Sequence, residues 1–237
     1  AVWIGTYPAG APQGIDPLEA LRISATHLRS PVIPGLPPLT GGLVGYMGYD
    51  TVRRLEKIGN SANKDLPIPE LAFMLTSDLA VMDHSDGTVT LIANAINWDA
   101  SDNRIDEAYA ECVTRLDRMQ EELNTSLDGS VSELKERTLP LFDSNTTEDE
   151  YRKSVREIKE EILAGEAFQV VLSQRFAMPI ACKSFDIYRV LREHNPSTYM
   201  YIFNFSDDLS IVGSSPEDLV KVTGDNVMIH PIAGTRA

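Results

Sequence analysis

Apolar positions along this chain repeat with a helical period in some stretches and alternate in others, and Pro, Gly and Asp punctuate the changes. Asp16-Pro17 is a helix start, with Asp as the cap and Pro in the first turn. The spacing predicts a helix to about Leu28 that buries Leu18, Leu21, Ala25 and Leu28. Ala1–Tyr7 reads as a strand and Pro31–Pro38 as a proline-rich connector. Thr40–Asp50 is apolar but carries Gly41, Gly42, Gly45 and Gly48, which predicts a strand that another backbone approaches closely. Ser77–Met82 and Thr88–Ala95 read as a hairpin turning at His84–Gly87. Ile105, Ala108, Cys112, Leu116, Met119 and Leu123 then recur at helical spacing, with acidic residues between them.

Periodicity fails over Asn124–Asp149, a boundary between two parts, read as 1–140 and 141–237. Thr147-Glu-Asp-Glu150 has the spacing of a capping box. The helix behind it buries Tyr151, Val155, Ile158 and Ile162 and stops at Gly165. Phe168–Ala177 reads as a strand, and Ser184–Asn195 as a helix stopped before Pro196. Two hairpins follow: Tyr199–Phe205 with Ser210–Ser214 through Asp207-Asp208, and Leu219–Thr223 with Asn226–Ile232 through Gly224-Asp225. Strands and helices segregate rather than alternate, so the fold class is α+β with antiparallel sheets.

Composition narrows the functional classes. With 43% hydrophobic and 24% charged residues in 237, the chain is an ordinary globular sequence, and no apolar run is long enough to span a bilayer. A formal charge of -14 excludes a nucleic-acid partner held by bulk field, and any anion site must rest on local N–H groups and a few cations. Cys112 and Cys182 have no metal spacing and point to free thiols in a reducing compartment, hence a cytoplasmic location. His27, His84, His194 and His230 show no metal spacing with one another.

Three motifs in the last third concentrate the candidate chemistry: Gly165-Glu-Ala-Phe-Gln-Val-Val-Leu-Ser-Gln-Arg175, Gly213-Ser-Ser-Pro-Glu217 and His230-Pro-Ile-Ala-Gly-Thr-Arg236. By spacing alone, Glu217 is either a turn carboxylate or a working acid, and Gln169 a hydrogen-bonded sheet residue. Ala233-Gly-Thr235 is by the same measure a strand ending in a glycine turn, where glycine would also let a ligand approach the backbone.

Together these motifs resemble the chorismate-utilising enzymes, most of all the large (component I) subunits of anthranilate synthase. The resemblance implies a sandwich of antiparallel sheets with helices outside, here incomplete at both ends. It implies that Glu217 protonates the C4 hydroxyl of chorismate as that group leaves. It implies that Gly234 and Thr235 offer donors to a substrate carboxylate. Gln169 stands where the hydrating members resemble one another in a lysine that activates water. A glutamine cannot be that base, which points to ammonia as the nucleophile. Ala233 stands where aminodeoxychorismate synthases usually carry lysine, which favours anthranilate. Asn195-Pro-Ser-Thr-Tyr-Met200 is similar to a segment of the regulatory tryptophan pocket, with Thr198 in place of a usual proline beside Tyr199 and Met200; the other half of that pocket is a segment not found in this sequence.

The implied reaction converts chorismate and ammonia to anthranilate and pyruvate, a lyase step of tryptophan biosynthesis. Ammonia would come from a glutamine amidotransferase partner (component II), and L-tryptophan would act as feedback inhibitor. Mg²⁺ would neutralise substrate carboxylate, with no ligands expected in this chain. The chain taken alone is expected to be inactive. The alternatives are an aminodeoxychorismate synthase component and a non-catalytic docking or tryptophan-binding fragment.

Overall fold

The computed structural model describes residues 10–59, 64, 66–126 and 141–232. The expected strand at Ala1–Tyr7, and Trp3 with it, lie outside the described residues. The chain divides into two compact units, Ala1–Gly129 with Phe205–Asp208, and Ser130–Asn204 with Leu209–Ala237.

In the first unit, helix α1 spans Pro17–His27. Asp16 caps it: Oδ1 accepts from the N–H groups of Leu18 at 2.9 Å and Glu19 at 3.3 Å, donors that no helical carbonyl can reach. The buried face is Ala20 and Ser24, with Leu18, Leu21 and Leu28 half-buried; Ala25 is exposed, contrary to the spacing. Ser24 is admitted because its hydroxyl donates to the Ala20 carbonyl at 2.8 Å.

Strand β1 (Gly42–Met47) pairs antiparallel with β2 (Leu71–Thr76), in a register that sets Gly45 opposite Phe73. A methyl group at Gly45 would collide with the Ala72 carbonyl, so the predicted close approach of a second backbone is present and β2 makes it. Between these strands a 3-10 helix, Tyr49–Arg54, delivers Arg54 to Asp16 and Glu70. Strands β3 (Asp78–Asp83) and β4 (Thr88–Ala93) form the predicted hairpin. Helix α2 (Ile105–Asn124) packs against β4. It buries Cys112 and half-buries Ala108, Leu116 and Met119, while Ile105 and Leu123 at its ends are exposed. Arg115 on this helix reaches Asp78, and also donates to the Asn94 carbonyl at 2.9 Å. Trp98 is buried, and the His27 ring stacks on it while Nε2 donates to its carbonyl at 2.7 Å.

In the second unit, the two-residue strand β5 (Asp143–Ser144) precedes helix α3 (Glu148–Ala164). The capping box is formed: the Glu150 N–H donates to Thr147 Oγ1 at 3.3 Å, and the Thr147 N–H to Glu150 Oε2 at 2.9 Å. Gly165 ends the helix with φ of 85°, a left-handed conformation open to glycine. The expected burial of Tyr151, Val155, Ile158 and Ile162 is not found: the apolar face is formed but only partly covered, with Tyr151 and Ile158 half-buried and Val155 and Ile162 exposed.

The expected strand over Phe168–Ala177 is a second correction. Only β6 (Phe176–Ala177) forms, pairing with β5, and 168–175 is irregular. A strand needs a partner, and this run finds one only at its end. Helix α4 (Ser184–His194) follows. Then come the antiparallel hairpins of β7 (Tyr199–Ser206) with β8 (Leu209–Ser215), and β9 (Lys221–Thr223) with β10 (Asn226–Met228). The described strands thus pair two by two, all the registered pairs are antiparallel, and the fold is α+β.

Candidate active site

Strand β8 carries the Gly-Ser-Ser-Pro-Glu motif to its end. Gly213 has no side chain because the Tyr201 ring of β7 lies across it, where a methyl group would overlap the ring. Tyr201 in turn stacks on Phe203, with ring centroids 5.1 Å apart. Ser214 Oγ donates to the carbonyl of Asn195, the residue that ends α4, at 2.8 Å. Ser215 Oγ donates to the Glu217 carbonyl at 2.9 Å, closing the turn around Pro216. Pro216 itself has no N–H and cannot extend the ladder.

Glu217 is exposed, and its carboxylate is held at one oxygen: Oε2 accepts the N–H of Ile232 at 2.7 Å. The β9–β10 register explains why. Thr223 faces Asn226, Val222 faces Val227 and Lys221 faces Met228. Carried four positions further, the same register sets Glu217 opposite Ile232. The backbone ladder has stopped by then, so a side-chain oxygen takes the N–H that a strand carbonyl would otherwise accept. The structure therefore joins the second motif to the third.

The other candidates are less assembled. Gln169 lies on the exposed irregular stretch after α3, not in a strand, and forms no hydrogen bond with Glu217. The chain after it is docked: Gln174 Nε2 donates to Ser144 Oγ at 2.8 Å, and the Arg175 N–H donates to Asn145 Oδ1 at 2.9 Å. Ala233, Gly234, Thr235 and Arg236 lie outside the described residues. Thr198 and Tyr199 are exposed and Met200 half-buried where α4 hands over to β7. Two groups near the site escape a reading of the sequence. The Ile232 N–H could have been found by extending the Gly224-Asp225 hairpin outward. Asp218, whose Oδ2 is buried without a hydrogen-bond partner among the described residues, gives no such signal.

Among the described residues no group of three or more His, Cys, Asp or Glu stands close enough to hold a metal ion. No helix among them is long and apolar enough to cross a membrane.

A carboxylate held at one oxygen and open to solvent is a group that can give or take a proton. Residues 8–237 match the family of chorismate binding enzymes, and the chain belongs to that family. Among its relatives, anthranilate synthase component 1 of Mycolicibacterium smegmatis is 48% identical over 241 residues, covering 100% of this chain and 46% of the relative. The component 1 of Arthrobacter globiformis is 47% identical, again over 100% of this chain and 46% of the relative. The crystal structure of anthranilate synthase component I from Streptococcus pneumoniae superposes with a TM-score of 0.74 at 27% identity, over 88% of this chain and 46% of that one. The chain spans about half the length of these relatives.

Proposed function

We propose that this chain is the part of an anthranilate synthase large subunit that carries the proton donor, in a protein that converts chorismate and ammonia to anthranilate and pyruvate. The observation that carries the reading is the Glu217 carboxyl, exposed at the end of β8 and fixed at one oxygen by Ile232. Ammonia adds at C2 of chorismate, the ring double bonds shift, and the C4–O bond breaks with its electron pair on oxygen. Glu217 supplies the proton that lets the group leave as water, since hydroxide is a poor leaving group. Loss of pyruvate from the aminated ring then gives the aromatic product. Gln169 supports ammonia over water as nucleophile, because an amide side chain cannot act as a base. Ala233 supports amination at C2, because it has no amine to add to the substrate.

In this reading Gly234 and Thr235 donate to a substrate carboxylate, and a magnesium ion takes its ligands from residues other than the described ones. Ammonia comes from a glutamine amidotransferase subunit. L-tryptophan binds at Thr198, Tyr199 and Met200 as inhibitor, and turnover belongs to the intact component in the cytoplasm. The test is product identity. The intact component, given chorismate, ammonium and Mg²⁺, yields the fluorescence of anthranilate; p-aminobenzoate as the product would overturn the assignment.

A further inference from the structure

We infer that the backbone N–H of Ile232 is the positioning donor of the reaction, and that it decides which oxygen of Glu217 delivers the proton. The inference rests on the reading of Glu217 as general acid. Four observations carry it. Oε2 accepts the Ile232 N–H at 2.7 Å, whereas no hydrogen bond is formed at Oε1 among the described residues. The β9–β10 register, extended four positions beyond its last pair, brings Ile232 opposite Glu217. Pro231 precedes the donor and has no N–H of its own, so Ile232 is the first backbone donor after His230 in the segment that follows β10. Ser215 Oγ clamps the Glu217 carbonyl at 2.9 Å, which fixes the main chain under the carboxyl.

The hydrogen bond suits both protonation states. In the neutral acid Oε2 is the carbonyl oxygen and accepts the N–H, while Oε1 carries the proton. After transfer the proton is on the departing C4 oxygen, the C4–O pair has gone with it as water, and Oε2 still accepts from Ile232 in the carboxylate. Nothing has to rearrange while the bond breaks, which is the condition for a preorganised donor. Ile232 touches neither substrate nor reacting atom; it acts through Glu217.

Two measurements test this. The first follows exchange of the Ile232 amide proton with solvent in this chain by NMR. Glu217→Ala exchanges about tenfold faster than the parent, and Glu217→Gln, whose amide oxygen still accepts, keeps the protection. Equal exchange in the parent and Glu217→Ala would mean the hydrogen bond does not exist, and the inference falls. The second replaces the Ile232 N–H by an ester oxygen in the intact component, leaving every side chain in place. The expected result is a kcat about tenfold lower with KM for chorismate within about twofold, because binding is retained and proton delivery is misaimed. If the ester leaves kcat unchanged while Glu217→Gln silences the enzyme, the positioning role is wrong and the acid stands. If Glu217→Gln itself leaves kcat unchanged, the acid assignment fails and takes this inference with it.

Discussion

Two glycines do opposite work for the two units. Gly45 lets β2 close on β1, since its absent side chain is the space taken by the Ala72 carbonyl. Gly45→Ala must push the strands apart, and the expected loss is about 1–3 kcal/mol, the usual cost of overpacking. A urea titration of the parent and the variant measures it. Gly213 instead seats the Tyr201 ring on the strand that ends in Glu217. Only the first role was legible: the four glycines of Thr40–Asp50 signalled a close backbone, but the chain gives no sign that Gly213 faces an aromatic ring. Glu217 was legible only as a motif residue. Its partner was implicit in a two-residue turn at Gly224-Asp225, whose register, once extended, reaches Ile232.

At the scale of elements, the caps were the most legible features because they are local chemistry. Asp16 with Pro17, and Thr147 with Glu150, satisfy donors that any helix start leaves open, whatever packs on the helix. Thr147→Ala is expected to cost about 1 kcal/mol of the second unit's stability and Thr147→Ser little, read by urea midpoints. Around α1 the cap is also an electrostatic strut. Burial pushes the Asp16 carboxyl up, but the N–H groups of Glu19 and Leu18 and the Arg54 guanidinium outweigh it and hold it below its ordinary 3.8. The Arg54 hydrogen bond does the same to Glu70, holding it below its ordinary 4.5. Both carboxyls are therefore weaker proton acceptors folded than unfolded. Their contribution is complete above about pH 5, declines as the pH falls through those ordinary values, and is gone below the lowered ones. Urea midpoints taken between pH 7 and pH 3 should fall on acidification, and Arg54→Met should flatten that dependence. A dependence just as steep in the variant would show that other carboxylates set it.

Over the whole molecule, helical period and burial part company. Tyr151, Val155, Ile158 and Ile162 align on α3 as expected, yet none is buried, and Phe168 and Leu219 stand at 102% and 90% exposure. Periodicity records which face is apolar; burial also needs a covering layer, and an apolar run such as Phe168–Leu172 needs a partner before it is a strand. That is why the helices and hairpins could be read and the 168–175 strand and the α3 interface could not. So much open apolar surface should bind a hydrophobic dye at neutral pH, and dye fluorescence with the 237-residue chain tests it; a signal no higher than that of a well-packed globular protein would contradict the exposure described here.

The account turns on Glu217, and the most direct measurement of it is anthranilate formation from chorismate and ammonium by the intact component carrying Glu217→Gln. The variant keeps the shape and the Ile232 hydrogen bond but has no proton to give. The expected result is a kcat reduced by about 10²–10⁴-fold with chorismate still bound, the range for loss of a general acid. A kcat within a few-fold of the parent would contradict the account, and the acid would have to be sought elsewhere.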